Sequence, residues 1–266
     1  VCSSDLSIPF SCIFKIQDDV RMDSMVIQFM DKFLRIFNDA GISCYMKPYR
    51  VFATGQERGV IECITHAKSR HELGEEYPED LLSYFVHKYG QIGTPEFNRA
   101  QHNFIISLAP YSLLSYIFQI KDRHNANIMI DEDGHILHID FGFIFDISPG
   151  GGLKFERAPF KLTREMISLM GGKDSHGFKE FKKLYTQCFI ATRSRYDEIE
   201  IIASLMVNAG FPCFTRDSFK NLRQRFFLDK MGNELSYFID STINDSMNSL
   251  TTNGYDMYQY AQNKIF

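Results

Sequence analysis

A polar run near the middle of the chain combines residue types that could carry out chemistry, in the order Lys121-Asp122-Arg123-His124-Asn125-Ala126-Asn127. A short apolar hairpin pattern follows, and Asp140-Phe141-Gly142 comes directly after it. Transfer of a phosphoryl group needs a residue that orients or deprotonates the attacking hydroxyl, oxygen ligands for magnesium and cations facing the phosphates. The candidates for the first two tasks are Asp122, His124, Asn127 and Asp140.

Asn127 and Asp140 are the candidate metal ligands. Mg²⁺ prefers hard oxygen ligands and keeps several waters, so one amide and one carboxylate can form a site together with phosphate oxygens. Mn²⁺ is a possible substitute. Because the two residues stand at the outer ends of one tight hairpin, a rigid support would fix the metal geometry.

The group that accepts the proton has two candidates, and the sequence does not choose between them. Asp122 precedes Asn127 by five positions, the spacing of Asp and Asn in the catalytic loop of protein kinases. His124 has the near-neutral pKa that suits proton transfer. Arg123 could face a phosphate, but we favour a structural role. Taken alone, Asp-Arg-His-Asn could be a polar turn and Asp-Phe-Gly an ordinary strand exit. The spacing between the two motifs favours a catalytic role.

Hydrophobic periodicity predicts the elements that hold this loop. A strand is expected over 8–16 and an amphipathic helix over 20–37, where apolar residues recur every three or four positions. Two runs rich in β-formers, 42–53 and 59–64, indicate a hairpin. Residues 8–64 therefore read as a small α+β unit.

Helical patterns dominate after about residue 66. The uncharged stretch 104–120 is too polar for a comfortable membrane span and is predicted to be a buried helix. The hairpin lies over 128–130 and 136–139, and His135 and His138 beside it are expected to be packing or surface residues rather than metal ligands. Further helices are predicted near 163–171, 177–191, 195–209, 215–227, 231–248 and 254–263.

Composition limits the class of protein. The chain has 266 residues, of which 44% are apolar and 14% aromatic, enough for a sizeable core. A net charge of -4 gives no sign of a nucleic-acid partner. The six cysteines include no CxxC pair and no secretory leader is evident, which favours a cytoplasmic setting.

The order of the catalytic residues carries a resemblance. Protein kinases have His-Arg-Asp where this chain has Asp122-Arg123-His124, the order typical of phosphoinositide 3- and 4-kinases. From about residue 12 to its end the chain resembles this superfamily. The matching segments are Ile13-Phe14-Lys15-Ile16-Gln17-Asp18-Asp19-Val20-Arg21-Met22-Asp23, Pro48-Tyr49-Arg50, Gly59-Val60-Ile61-Glu62 and Tyr255-Asp256.

The resemblance extends to a subfamily. Ser148-Pro149-Gly150-Gly151-Gly152, Lys161-Leu162-Thr163 and Met170-Gly171-Gly172 are similar to type III phosphatidylinositol 4-kinases. The runs at 59–64 and 111–114 and the Tyr-Asp-Met ending favour the alpha form over the beta form. Two departures, Met22 for Gln and Ala126 for Gly, remove no ligand.

The resemblance implies an α+β, two-lobed protein-kinase-like fold, with a truncated β-rich N-lobe over 7–64 and a mainly helical C-lobe over 65–266. The strand pair that covers the phosphates would precede Ile13, so we expect the N-lobe to be incomplete and the isolated chain to bind ATP weakly. Residues 1–6 do not resemble the family and are expected to be a non-native leader.

The resemblance also assigns binding residues for ATP. Lys15 would contact the phosphates, as suits a flexible ammonium group. Asp23 would organise the phosphate end, with Tyr49 as a structural partner, although capping and core packing would explain both. The backbone carbonyl of Glu62 and the N–H of Ile64 would hydrogen-bond adenine.

Lys154, Arg157 and Lys161 make the segment after Asp-Phe-Gly locally basic, which suits an inositol headgroup or anionic lipid, or simply a solvated loop. Likewise, residues 255–266 could lie on a membrane or pack on the lobe.

The implied activity is transfer of the ATP γ-phosphate to the 4-hydroxyl of phosphatidylinositol in a cytoplasmic leaflet, with the plasma membrane favoured. Scaffold or regulatory proteins would act through upstream regions. The alternatives are a 3-position lipid kinase, a related protein kinase, or a non-catalytic kinase-fold module that binds a membrane or partner.

Overall fold

The computed structural model describes residues 11–145, 158–207, 209–211, 213 and 216–248. The strands in these ranges are β1 (Cys12–Ile16), β2 (Val51–Gly55), β3 (Arg58–Glu62), β4 (Ala67–Ser69), β5 (Ile128–Asp131) and β6 (Ile136–His138). The helices are α1 (Arg21–Asp39), α2 (Arg70–Glu76), α3 (Leu81–Tyr89), α4 (Pro95–Phe118), α5 (Arg164–Leu169), α6 (His176–Ser194), α7 (Tyr196–Val207), α8 (Arg216–Arg225) and α9 (Gly232–Asn248).

The N-terminal part is an antiparallel sheet in the order β1-β3-β2, with α1 against one face. Helix α1 buries Phe29, Phe33 and Phe37 because apolar residues recur at helical spacing. Gly59 of β3 allows close approach to the start of the helix, since a Cβ there would lie 2.2 Å from Val20 Cγ2. The sheet can therefore place Lys15 of β1 close to the first turn of α1.

The prediction of a strand over 42–53 is wrong for its first nine residues. Residues 42–50 form no strand, and β2 begins only at Val51. Two backbone donors here bond to α4 instead of to a strand: the Tyr45 N–H donates to the Ile106 carbonyl at 3.0 Å and the Lys47 N–H to the Tyr111 hydroxyl at 3.2 Å. The β-rich composition therefore reflects burial against a helix.

The Ile106 carbonyl of α4 is free to accept this bond because of a proline in the helix. Pro110 lies inside the helix and has no N–H to donate to the carbonyl four residues earlier, which is that of Ile106. The vacated acceptor is the one that Tyr45 uses. The predicted buried helix over 104–120 is thus confirmed, although it begins earlier, after the Thr94 cap, and ends at Phe118.

A second antiparallel sheet, in the order β4-β5-β6, supports the polar run 121–127. The predicted hairpin is confirmed as β5 and β6. Strand β4 was not predicted because three residues carry too little pattern. It ends at Ser69, whose side chain accepts from the Glu72 N–H while the Glu72 carboxylate accepts from the Ser69 N–H, a capping box that starts α2.

The C-terminal part is helical, with α4 and α6 packed extensively against each other. Helix α5 is tied to α2 by a largely buried ion pair, in which Arg70 donates to both carboxylate oxygens of Glu165 at 3.1 and 2.7 Å. The α+β class, with a small N-lobe and a helical C-lobe, is confirmed. Helices α5 to α9 match the predicted segments to within a few residues at each end.

Several predictions fall outside the described ranges: the leader 1–6, the first residues of the strand over 8–16, and the helix over 254–263. The domain bounds stay predictions. Among the described helices, none combines the length and apolar character needed to cross a membrane.

Candidate active site

The polar run becomes a loop between α4 and β5 that ends in a short 3-10 turn, Asn125–Asn127. Asp140 follows β6, so the hairpin brings both ends of the motif together. Two of its acids, Asp122 and Asp140, have positive φ values of 62° and 60°. Such backbone is costly for most residues and is tolerated best by Gly, Asn and Asp. Two of the four candidate residues, one in the loop and one after β6, therefore have an uncommon backbone conformation.

Asn127 is held by its amide nitrogen. This Nδ2 donates to the Asp122 carbonyl at 2.9 Å and lies 3.2 Å from His124 Nε2. Because the nitrogen faces the loop, the amide oxygen is the atom that remains for a metal. This arrangement fits the donor chemistry of a Mg²⁺ ligand.

Arg123 holds the loop to the Asp-Phe-Gly segment. The buried guanidinium donates to the carbonyls of Lys121 at 3.0 Å and Ile139 at 2.7 Å, and also to that of Asp140. It also lies over the Phe141 ring, 5.6 Å from the centroid, within the limit of about 6 Å for a cation–π contact. These contacts agree with the structural role favoured for Arg123 and explain how Asp140 is kept close to the loop.

The two candidate bases are neighbours. Asp122 Oδ2 lies 3.8 Å from His124 Nε2, and both side chains are mostly buried. Burial lowers the pKa of His124 below that of a free histidine; the Arg123 and Lys161 cations act in the same direction, whereas the Asp122 carboxylate opposes them. A neutral imidazole at physiological pH is able to accept a proton.

Lys15 reaches the Asp-Phe-Gly segment from the N-terminal sheet. Its ammonium lies 3.6 Å from Asp140 Oδ2 and 2.8 Å from Asp18 Oδ2. Burial alone would lower the pKa of Lys15, but the hydrogen bond to Asp18 and the nearby Asp140 and Asp23 carboxylates raise it above its ordinary value. The lysine is therefore a fixed positive charge beside a candidate metal ligand.

Asp23 lies beneath this pair, on the first turn of α1, and is only 3% exposed. Its Oδ1 accepts from the Phe141 N–H at 2.9 Å and lies 3.5 Å from the Tyr49 hydroxyl. The Tyr49 ring stacks on Phe141, with centroids 6.4 Å apart. The structure thus places Asp23 and Tyr49 as supports of the Asp-Phe-Gly backbone, and direct ATP contact by either stays a prediction.

Replacement of Asp23 by asparagine is expected to stabilise the protein increasingly as pH rises. Burial raises the pKa of Asp23 to about 6, from an ordinary value of 3.8. Between these values the folded state holds a proton that the unfolded chain has lost. The contribution of Asp23 to stability is therefore complete below pH 3.8 and is lost as pH rises through about 6.

Asparagine keeps the oxygen that accepts from Phe141 but carries no charge. The unfolding free energy of D23N, relative to wild type, should rise by about 1.5 kcal/mol between about pH 5 and about pH 8 in denaturant titrations. Asp31→Asn, at an exposed position of the same helix, is the matched control. A constant D23N difference across this range would contradict the assignment.

The predicted adenine contacts lie at the end of β3. The Glu62 carboxylate accepts from the N–H and Nε of Arg50 at 2.8 and 3.2 Å, and the Cys63 N–H donates to the Ser11 carbonyl at 2.9 Å. These bonds fix the strand end that leads to Ile64, which packs partly buried against the core. The use of Glu62 and Ile64 by a base stays a prediction.

Of the three predicted substrate residues, the structure describes only one. Lys154 and Arg157 lie outside the described residues. Lys161 is only 7% exposed, and its ammonium donates to Asn125 Oδ1 at 2.9 Å. No sequence pattern predicts Asn125 as its partner, since the contact joins two irregular segments.

The histidines beside the hairpin are packing residues. His135 stacks on Tyr45, with centroids 3.8 Å apart, and its Nδ1 lies 3.0 Å from Asp131 Oδ2. His138 is buried and stacks on Tyr111 at 4.8 Å. Within the described residues, no group of three or more His, Cys, Asp or Glu side chains is placed to hold a metal.

Comparison with known proteins gives one family. The model of the family "Phosphatidylinositol 3- and 4-kinase" matches residues 9–216. The chain is 43% identical over 257 residues to phosphatidylinositol 4-kinase STT4 of Saccharomyces cerevisiae, covering 96% of this chain and 14% of the relative. It is 40% identical over 261 residues to phosphatidylinositol 4-kinase alpha 1 of Arabidopsis thaliana, covering 97% and 13%.

A relative named as a beta form is similar to the same extent. Phosphatidylinositol 4-kinase beta 1 of Arabidopsis thaliana is 40% identical over 263 residues, which cover 96% of this chain and 23% of the relative. The chain therefore spans between about an eighth and a quarter of the length of these relatives.

Proposed function

Since the chain belongs to the phosphatidylinositol 3- and 4-kinase family, we propose that it transfers the γ-phosphate of ATP to the 4-hydroxyl of phosphatidylinositol. The observation that carries this proposal is the meeting of Lys15 Nζ and Asp140 Oδ2 at 3.6 Å, beside the loop that holds Asn127. Asn127 is tied to the residue before Asp140, because the Ile139 N–H donates to the Asn127 carbonyl at 3.2 Å. A cation, an acid and an amide are the groups that binding of ATP phosphates and magnesium requires.

Each group has a task in the proposed reaction. Lys15 neutralises phosphate charge, and the Asp140 carboxylate and the Asn127 amide oxygen would hold magnesium. The metal, when bound, supplies positive charge to the phosphate oxygens as they gain negative charge. Glu62 and Ile64 orient the adenine through backbone atoms, which keeps the γ-phosphate in place for attack.

The attacking hydroxyl would approach the side of the loop that carries Asp122 and His124. One of these two groups accepts its proton. If it is His124, the Asp122 carboxylate 3.8 Å away stabilises the imidazolium that forms. Arg123 does not contact the reactants in this scheme, because its guanidinium is bound to backbone carbonyls. It keeps the loop and Asp140 together.

The proposed setting is the cytoplasmic face of a membrane, with the plasma membrane favoured and the enzyme bound peripherally. Lys154 and Arg157 are the proposed contacts to the anionic lipid surface. Scaffold or regulatory proteins would bind upstream regions, which correspond to segments of the relatives that this chain does not span. The alpha form is the proposed subtype.

The test of substrate class compares lipid with protein acceptors. Purified enzyme, Mg²⁺ and labelled ATP are incubated either with vesicles of phosphatidylinositol in phosphatidylcholine or with a peptide library. We expect label in the lipid alone. Label in peptides alone would support a related protein kinase, and tight vesicle binding without transfer by well-folded enzyme would support a non-catalytic module.

A further inference from the structure

Lys161 belongs to the segment that follows Asp-Phe-Gly, yet its side chain contacts the catalytic loop. The ammonium donates to Asn125 Oδ1 at 2.9 Å, and the two residues are 36 positions apart in the sequence. Asn125 is the first residue of the 3-10 turn whose last residue is Asn127. The contact therefore joins the segment before α5 to the turn that carries a proposed metal ligand.

The burial of Lys161 argues against direct contact with a lipid headgroup. Lysine normally buries its carbon stem and leaves the ammonium in water, but this residue is only 7% exposed. A buried ammonium is unfavourable unless it is hydrogen-bonded or paired. The bond to Asn125 therefore helps to explain how the position is tolerated.

The backbone that carries Lys161 is itself anchored. The N–H of the preceding residue, Phe160, donates to Ser246 Oγ of α9 at 3.2 Å. The Phe160 ring lies 5.2 Å from the ring of Tyr185 on α6, measured between centroids, and both rings are buried. Lys161 thus extends from the helical core to the catalytic loop.

The other end of the turn is where position matters. Asn127 Nδ2 donates to the Asp122 carbonyl, which leaves the amide oxygen for the metal. A shift of the turn would move this oxygen relative to Asp140. Misplacement by about 1 Å can cost about a hundredfold in rate even when the chemistry itself is untouched.

We propose that Lys161 is a positioning residue that fixes the Asn125–Asn127 turn of the catalytic loop against the helical core. This positioning role deepens the proposed function, and its kinetic test rests on that function. This role differs from the headgroup contact that the sequence suggested, because it acts on catalytic rate and not on lipid binding.

A double-mutant cycle tests the proposal. Lys161→Met and Asn125→Ala should each lower kcat for phosphatidylinositol by about tenfold or more, with KM for the lipid changed by less than about twofold. The double variant should be no slower than the slower single variant, since both remove the same contact. Lys161→Arg, which keeps a cation and donors, should recover part of kcat.

Lys179→Met, at an exposed position on α6, is the matched control and should match wild type. Independent, additive losses from the two substitutions would overturn the proposal. So would a rise in KM for the lipid with unchanged kcat, which would assign Lys161 to headgroup binding.

Hydrogen exchange separates this proposal from the proposed function. Backbone amides of residues 125–127 should exchange faster in K161M and in N125A than in wild type. In the double variant they should exchange no faster than in the single variants. This holds whether or not wild type phosphorylates the lipid. If wild type proves inactive on phosphatidylinositol but exchange behaves in this way, the positioning role stands without that activity. Unchanged exchange in a folded K161M protein would overturn it.

Discussion

Replacing Asp140 with asparagine is expected to lower the rate of phosphoryl transfer by about a thousandfold or more. The carboxylate is the charged member of the proposed metal pair and lies 3.6 Å from the ammonium of Lys15. Asparagine keeps the size of the side chain but removes the charge that would attract both cations. Steady-state turnover with saturating ATP and Mg²⁺ is the measurement.

The fold should survive this substitution. Asp140 has a φ of 60°, a conformation that asparagine adopts readily, and its side chain is 42% exposed. Thermal unfolding should therefore match wild type. Asp133→Asn, in the turn at the far end of the hairpin, is the matched control and should retain full turnover. Substantial activity in D140N would remove Asp140 from the proposed chemistry.

Replacing both candidate bases is expected to lower kcat no further than replacing the more important one alone. Asp122→Asn and His124→Gln should each lower kcat by about a hundredfold or more, within the range for removal of a proton acceptor or its partner. The two groups lie 3.8 Å apart and would act as a unit. Residues that act as a unit give non-additive losses, so the double variant should equal the slower single variant.

The pH dependence of kcat separates the two roles. Because burial lowers the pKa of His124, wild type should remain active below the pKa of a free histidine and lose activity as pH falls through the folded-state value. In H124Q this acidic limb should disappear from the residual activity, whereas D122N should retain it. Additive losses, or the same acidic limb in H124Q, would contradict a shared proton path.

The geometry of the polar run 121–127 and the hairpin after it could be predicted because the sequence pattern that specifies it is local. The spacing of Asp122 and Asn127, the alternation in β5 and β6, and the Asp-Phe-Gly exit lie within about twenty consecutive residues. Hairpin geometry alone then brings Asn127 and Asp140 to the same end. Spacing and strand pattern sufficed for these residues.

Contacts between distant segments could not be predicted in this way. The bond from Phe141 N–H to Asp23 joins residues 118 positions apart, and it makes Asp23 a buried support of the Asp-Phe-Gly backbone. Lys161 and Asn125 are a similar case. Side-chain types show what a residue is able to bind, but only packing shows which partner is nearest.

Secondary structure failed where tertiary hydrogen bonds replaced a strand ladder. In the β-rich run over 42–50, the backbone N–H groups of Tyr45 and Lys47 donate to α4. Tyr45 uses the carbonyl that Pro110 leaves vacant. A proline inside a helix marks a carbonyl that lacks its usual N–H donor, but the sequence does not show which segment will donate to that carbonyl. Tyr45 does so here, and the predicted strand is lost.

The measurement to make first is the ring position of the phosphate in the lipid product. Enzyme is incubated with phosphatidylinositol vesicles, Mg²⁺ and ATP, and the deacylated product is separated from 3- and 5-phosphate standards, with D140N in parallel. We expect phosphatidylinositol 4-phosphate from wild type and none from D140N. Product at the 3-position, or no lipid product from well-folded wild type, would contradict the proposed 4-kinase activity.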